Sequence, residues 1–308
     1  MQQIVPSYYA AFRCIGSACR HNCCIGWEID IDPDTAAFYR TVSGELGCRL
    51  QTCIEYTDAV PHFRLDGNER CPFLNGDNLC DLILGLGEDR LCDICADHPR
   101  FRNELPGRTE IGLGLCCEEA ARLILGTTEP TVFIGDIETD DDILLLRDEV
   151  IALLQDRSRS LPERVDAMLT RCGASLPPVP LEEWASFLLT LERLEPTWTE
   201  RLEELRDGLS SADQSGFDAH IAERQTEYEQ LLVYFIYRHL ANASDAADAA
   251  ARAAFAALAY RILHALGAVQ WTKTGKFTFA DQVELARQFS AEIEYSDENL
   301  YYILDVLS

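Results

Sequence analysis

From about residue 140 onward, apolar positions recur at spacings of three and four, the period of one buried helical face. Asp140, Asp141 and Asp142 precede the apolar run Ile143–Leu154, placing acids at the positive end of a helix dipole. Ser160-Leu161-Pro162-Glu163 has the form of a capping box with Pro in the first turn, so a helix is expected to begin there. Leu181, Trp184, Phe187, Leu188, Leu191 and Leu194 share one face and predict a single amphipathic helix. Tyr228–Leu240 is apolar nearly all round, as expected of a helix in the centre of a bundle. Ala247–Leu266 is alanine-rich and strongly helix-forming, and Asp297–Leu307 predicts a last amphipathic helix. Pro177, Pro178 and Pro180 mark a break between helices.

The first 125 residues read differently. Asp66-Gly67-Asn68, Asn75-Gly76-Asp77 and Pro106-Gly107 punctuate short segments with turn-forming residues. Helical pieces are expected at Asp34–Val42, after Pro33, and at Glu118–Leu125. The fold class predicted is mainly α: a loop-rich, cysteine- and metal-binding module at residues 1–125, packed on a C-terminal helical bundle at 126–308. A loop-rich module has little core of its own, and bound metal replaces part of the missing hydrophobic stabilisation.

Cysteine placement strengthens that division. Of 13 cysteines, all but Cys172 lie within the first 117 residues. The chain opens without a charged start and apolar run, so no export signal is expected. No stretch reads as approaching the roughly 20 apolar residues of a membrane span, Leu231–Leu240 being the most apolar candidate. The expected compartment is the cytoplasm, where thiols stay reduced and a disulfide framework is disfavoured. Thiolates two to four residues apart, as in Cys14-x4-Cys19-x3-Cys23-Cys24, can converge on one metal ion while the chain turns around it. Soft sulfur ligands exclude calcium and magnesium and leave zinc and iron. Cys71-Pro72 has the Cys-Pro step common at iron–sulfur sites. Cys48, Cys53, Cys92, Cys116 and Cys172 are read as buried thiols, small hydrophobes rather than ligands.

The net charge of −26 excludes the clustered basic surface that nucleic acid requires. It fits a basic partner or simply a self-repelling surface. Lys273 and Lys276 are the only lysines.

The run Tyr8-Tyr9-Ala10-Ala11-Phe12-Arg13-Cys14-Ile15-Gly16-Ser17, continuing through Cys19, Cys23-Cys24 and Gly26-Trp27, resembles the opening of the flagellin lysine-N-methylases. Cys71-Pro72-Phe73-Leu74 through Leu79-Cys80 resembles their second motif. Their third is matched by Gly87-Glu88-Asp89, Leu91-Cys92-Asp93, Cys95, Pro99-Arg100, Glu110 through Leu113, Cys117 and Glu119–Leu123. The same cysteine pattern is related to a wider group of zinc- or iron-chelating proteins. The resemblance implies S-adenosylmethionine as methyl donor, flagellin lysines as substrate and a [4Fe–4S] iron–sulfur cluster, with zinc as the alternative metal. Carried over by position, it implies metal ligation by Cys14, Cys19, Cys23, Cys24, Cys71, Cys80, Cys95 and Cys117. His98 stands where the family has Tyr, and Glu118 where it has Pro. The C-terminal helices carry no sharp motif of the family.

Methyl transfer to lysine is displacement by the neutral amine, and free lysine has a pKa of about 10.4. Tyr8, Tyr9, Asp93, Glu110 and Glu119 are the proton acceptors near the cysteines, and Arg13, Arg100 and Arg122 could bind a donor carboxylate. For each, a structural role is the more common one, and no catalytic residue is assigned. No Gly-x-Gly-x-x-Gly follows a strand, and no Cys-x3-Cys-x2-Cys run occurs. The reading is therefore an S-adenosylmethionine-dependent protein lysine N-methyltransferase, with flagellin as partner and neither nucleic acid nor membrane. The alternative is a non-enzymatic zinc or iron–sulfur protein: a redox sensor, metal carrier or interaction module.

Overall fold

Local capping decides where half of the described α-helices begin. In the computed structural model, which describes residues 2–56, 60–135 and 138–308, Asp141 accepts the Ile143 and Leu144 N–H groups and starts a helix at Asp142–Leu154. Ser160 and Glu163 form the expected reciprocal box at Leu161–Arg171. The elements are β1 (Gln2–Pro6), α1 (Pro33–Tyr39), α2 (Gly44–Cys53), β2 (Ile54–Glu55), β3 (His62–Phe63), α3 (Asp81–Leu86) and α4 (Asp93–Asp97). There follow β4 (Arg100–Leu105), β5 (Arg108–Leu113), α5 (Glu118–Leu125), β6 (Phe133–Ile134), α6 (Asp142–Leu154) and α7 (Leu161–Arg171). The chain ends with α8 (Leu181–Leu188), α9 (Pro196–Gly208), α10 (Gln214–His220), α11 (Gln225–His239), α12 (Ala246–Thr274), α13 (Phe279–Phe289) and α14 (Asp297–Leu307). The fold is mainly α.

Two compact units emerge: Met1–Phe12 with Phe101–Ser308, and Arg13–Arg100. The boundary expected at residue 125 thus differs from the observed division. Residues 101–125 join the helical unit because β5 pairs in parallel with β1 and α5 buries Ala120, Ala121, Ile124 and Leu125 in the helical core. The sheet order is β4-β5-β1-β6, with β6 antiparallel to β1.

In the helical unit, α11 and α12 form the centre. Helix α11 buries twelve of its residues, on every face, as the sequence pattern requires. Helix α12 is 29 residues long and, by length and composition alone, apolar enough to cross a membrane. The expectation that no stretch approaches a span is corrected there: alanine-rich apolarity is spread over α12 rather than concentrated in Leu231–Leu240. Of its most apolar window, 78% is buried within the protein, so α12 serves as a core helix.

The single helix expected from Leu181 to Leu194 stops at Leu188, and Leu194 is 58% exposed. The buried Glu292 carboxylate accepts the backbone N–H groups of Leu194 (2.8 Å) and Glu195 (2.7 Å). Pro196 then starts α9.

The unit Arg13–Arg100 has a small core: Ile29, Ile31, Ala36, Tyr39, Leu50, Ile54, Phe63, Phe73 and Leu82, interleaved with Cys71 and Cys92. Among the described residues, 13–32 form no α-helix and no strand longer than a single bridge. The thiols are part of what fills this interior.

Candidate metal centre and buried polar network

All thirteen cysteines are free thiols. Within the unit Arg13–Arg100, six of them face one another electrostatically. The Cys24 thiol bonds to the Cys23 sulfur, and burial and the charges of Cys23, Cys71 and Cys80 further oppose its ionisation. Cys95 is related in the same way to Cys92, with Cys24 and Cys71 beyond it. Burial pushes Cys71 up to about 11, with Cys80 and Cys92 adding to it, and burial also raises Cys80, where Cys23 contributes.

The backbone supplies the opposite influence. The Cys71 sulfur is met by the N–H groups of Phe73 and Leu74, the Cys80 sulfur by those of Leu82 and Ile83, and the Cys92 sulfur by that of Cys95. Cys80 and Cys92 also sit at the N-caps of α3 and α4, where the helix dipole favours a thiolate. Burial and mutual repulsion keep Cys24, Cys71, Cys80 and Cys95 in the neutral form, while the thiol–thiol bonds favour ionised Cys23 and Cys92; a soft cation placed among these sulfurs would relieve the repulsion. This donor set fits a thiophilic metal or iron–sulfur cluster.

Neighbouring side chains hold the loops that carry these sulfurs. Arg49 donates to the Pro72 carbonyl (2.8 Å) and to Asp81 (2.7 Å), tying the segments after Cys71 and Cys80 together. Asn75 accepts the N–H groups of Asp77 and Leu79 and donates to Asp81. The Cys71 N–H bonds to the Cys24 carbonyl at 2.8 Å. Gly26, at φ +91°, turns the chain away after the Cys23-Cys24 pair in a conformation that side-chain-bearing residues rarely adopt. Asp32 caps α1 and accepts the Asp93 N–H at 3.1 Å, anchoring the start of α4. Arg49, Asn75 and Asp32 carry no spacing signal that sequence reasoning could have used.

Of the eight cysteines implied by the resemblance, Cys23, Cys24, Cys71, Cys80 and Cys95 fall in this group. Cys92, read from sequence as a buried thiol, joins them. Cys14 lies exposed and accepts a hydrogen bond from the Gly16 N–H, while Cys19 donates to the His21 carbonyl at 3.1 Å. Cys117 belongs to the other unit, as the N-cap of α5. His98 packs on Trp27 with ring centroids 5.7 Å apart, and burial, with Arg100 adding to it, lowers its pKa to about 4. Its imidazole is neutral.

The remaining sequence candidates are mostly occupied. Glu110 is fully buried between Arg108 (2.8 Å) and Arg147. Glu119 is bound by Arg122 at 2.6 Å. The Tyr8 hydroxyl is buried and held protonated by desolvation. Asp93 lies in the first turn of α4, and Arg100 donates to the Ala96 carbonyl.

The helical unit holds a polar network that the sequence did not announce. A π-helical turn at Ser290–Glu294 buries Glu294, whose carboxylate accepts from the Tyr234 hydroxyl (3.1 Å) and lies 2.6 Å from His239 Nε2. Arg238 Nε stands 3.5 Å from that carboxylate, and its guanidinium lies over the Phe101 and Tyr295 rings at 5.0 and 4.8 Å. Tyr234 also accepts the Leu115 N–H at 3.2 Å, which fixes the turn leading into Cys116-Cys117. Burial pushes the Cys116 thiol up to about 12, and Tyr295 hydrogen-bonds to it.

Fold and site together define a helical protein bearing a cysteine-rich unit. A family model described as the FliB lysine N-methylase C-terminal domain matches residues 179–308. The lysine-N-methylases of Salmonella typhimurium strain LT2 and Salmonella choleraesuis strain SC-B67 are each 30% identical over 128 residues, covering 39% of this chain and 31% of the relative. The flagellar biosynthetic protein FliU of Salmonella muenchen is 30% identical over 128 residues, and there 75% of the relative is covered. No solved structure matches the chain. The chain belongs to the flagellin lysine-N-methylase family. Its aligned stretch spans about a third of the length of the two Salmonella lysine-N-methylases. The family match at 179–308 falls on helices in which sequence reading found no motif, because a helical core is encoded in distributed apolar spacings rather than in short signatures.

Proposed function

We propose that this chain is an S-adenosylmethionine-dependent protein lysine N-methylase of the cytoplasm that acts on flagellin and carries an iron–sulfur cluster on the unit Arg13–Arg100. The observation that carries the reading is the six-thiol group joined, in one chain, to a helical region matching the lysine N-methylase family model. Cys23, Cys24, Cys71, Cys80, Cys92 and Cys95 are the sulfurs that would hold the cluster. When bound, it supplies the positive charge these thiolates need and organises a loop-rich unit whose own core is small. Zinc is the alternative occupant.

The reaction needs an unprotonated lysine amine aligned behind the donor methyl group. Glu110 and Glu119 support structure through their ion pairs rather than accepting a proton. The relatives' names, lysine-N-methylase and flagellar biosynthetic protein, support the substrate class.

The test uses anaerobically purified full-length protein with labelled donor and flagellin. The expected result is label on flagellin lysines, located by mass spectrometry, in protein containing iron and acid-labile sulfide. Absence of methyl transfer together with absence of donor binding by calorimetry overturns the enzymatic reading. Tightly held zinc without sulfide overturns the cluster while leaving the methylase open to the same assay.

A further inference from the structure

On the unit Arg13–Arg100, three short extended segments lie side by side. β3 pairs with β2 on one side and runs antiparallel to residues 29–31 on the other. The Ile31 N–H bonds to the Pro61 carbonyl (2.7 Å) and the Phe63 N–H to the Ile29 carbonyl (3.1 Å). Asp30 and His62 face each other between these two bonds. Such a pair exchanges no backbone bond of its own, and its side chains stand closest in an antiparallel ladder. Alternation of strand faces sorts the rest. Ile29, Ile31, Ile54 and Phe63 are buried in the core of the unit, so Glu28, Asp30, His62 and Glu55 fall on the opposite face.

Three of these side chains meet. His62 Nδ1 lies 3.6 Å from Glu28 Oε1, and one ligand atom each from Glu28, Asp30 and His62 fall within 4.8 Å of one another. Two ligands each bound at about 2.1 Å to one ion stand roughly 3.0–3.4 Å apart. The Glu28–His62 separation is close to that, and the exposed carboxylates can close the remainder by a change of rotamer. The imidazole is held in place, its side chain only 12% exposed, with Glu28 at 63% in front of it. The other neighbour of Nδ1 is the Val60 carbonyl at 3.4 Å, a contact too long to fix the tautomer.

Charge compensation is what the group lacks. On the same face Glu55 is paired with Arg64 at 3.3 Å. Among the described residues, neither Glu28 nor Asp30 meets a lysine or arginine, and the Asp30 carboxylate accepts no hydrogen bond. We propose that Glu28, Asp30 and His62 bind one divalent first-row metal ion, at a site separate from the gathered thiols. An imidazole nitrogen with two carboxylates suits manganese, iron(II) or zinc; the nitrogen disfavours calcium and magnesium, and the lack of sulfur lets a hard ion such as manganese enter. Three protein ligands on an exposed face leave the remaining positions to water. The ion would neutralise the two carboxylates and pin residues 28–30 to β3. This site does not rest on the methylase reading.

Mn2+ is the probe, because it avoids thiolates and so separates this site from the cysteine centre. Calorimetry and pulsed electron paramagnetic resonance on anaerobic full-length protein are expected to show one tight Mn2+ carrying nitrogen coupling from the imidazole. His62→Gln should abolish the nitrogen coupling. His62→Gln and Asp30→Asn should each weaken Mn2+ at least ten-fold, since even the outer partners of metal ligands are worth about 10–100-fold. Asp30→Asn changes an exposed, unbonded carboxylate, so its effect does not depend on the fold being disturbed. Glu55→Gln, on the same face but paired with Arg64, should change nothing. A surface of net charge −26 also gathers cations diffusely. Many weak, salt-sensitive Mn2+ ions without nitrogen coupling, or a tight Mn2+ unaffected by Asp30→Asn and His62→Gln, would overturn the site and leave the thiol centre and the methylase reading untouched.

Discussion

Replacing Glu294 by Gln keeps the shape of the side chain and removes its charge. In the native protein this carboxylate is completely buried and faces Arg238 at 3.5 Å, His239 at 2.6 Å and the Tyr234 hydroxyl at 3.1 Å. Removing one partner of a buried ion pair typically costs about 3–5 kcal/mol, because the other charge is left uncompensated. The Arg238 side chain retains 12% exposure and can reach water in part, which brings the expected loss to about 2–4 kcal/mol. For a unit of this size that corresponds to a fall in Tm of roughly 5–15 °C. Urea unfolding followed by fluorescence of the buried Trp184 and Trp198 reads the change. Arg238→Met in the Glu294→Gln background should recover part of the loss, giving a coupling energy of about 1–3 kcal/mol in a double-mutant cycle.

The same substitution has a signature in pH. Burial alone would raise the Glu294 pKa, but Arg238 and His239 outweigh it and hold it below the usual 4.5. A depressed folded-state value stabilises the protein above the unfolded-state pKa, and that stability is lost as pH falls through the folded one. Glu294→Gln should therefore flatten the acid limb of the stability profile below about pH 4.5. A loss under about 1 kcal/mol, or a cycle with no coupling, would refute the view that Arg238 depends on this carboxylate.

Three further outcomes are expected. Cys92→Ser should remove most of the bound metal from anaerobic protein and exposed Cys48→Ser should remove none, as read by elemental analysis; full retention in Cys92→Ser excludes it as a ligand. Chelation should abolish hydrogen-exchange protection in residues 13–100 and spare α11 and α12; uniform protection would mean that the small core of that unit suffices without metal. Gln282 is fully buried with both side-chain polar atoms unpartnered, so Gln282→Leu should raise stability by about 1 kcal/mol in urea titration, and a comparable loss would reveal a water or ligand held there.

Local chemistry alone determined a good part of this protein. Ser160 and Glu163, Asp141, and the all-round apolarity of Tyr228–Leu240 each specify a helix through contacts within a few residues. The observed α5 and α14 match their expected limits for the same reason. Cysteine spacing likewise marked the region in which the thiols gather, because convergence on a small centre constrains neighbours in the chain.

Tertiary structure decided the rest, where distant groups compete with local preference. Leu194 fits a helical face, but Glu292, nearly a hundred residues away, captures the Leu194 and Glu195 N–H groups and ends the run. Strand β5 was invisible in the sequence because all six of its residues are buried, including Arg108, Thr109 and Glu110, so no polar–apolar alternation marks it. Its parallel pairing with β1 moves residues 101–125 out of the expected cysteine module. Cys92 and Cys117 show the same division of labour: the sequence read the first as a buried thiol and the family resemblance implied the second as a ligand, but the folded chain sets the first among the gathered sulfurs and the second at the head of α5. Short-range order follows from residues a turn apart, whereas membership of a site depends on which distant segments fold against one another.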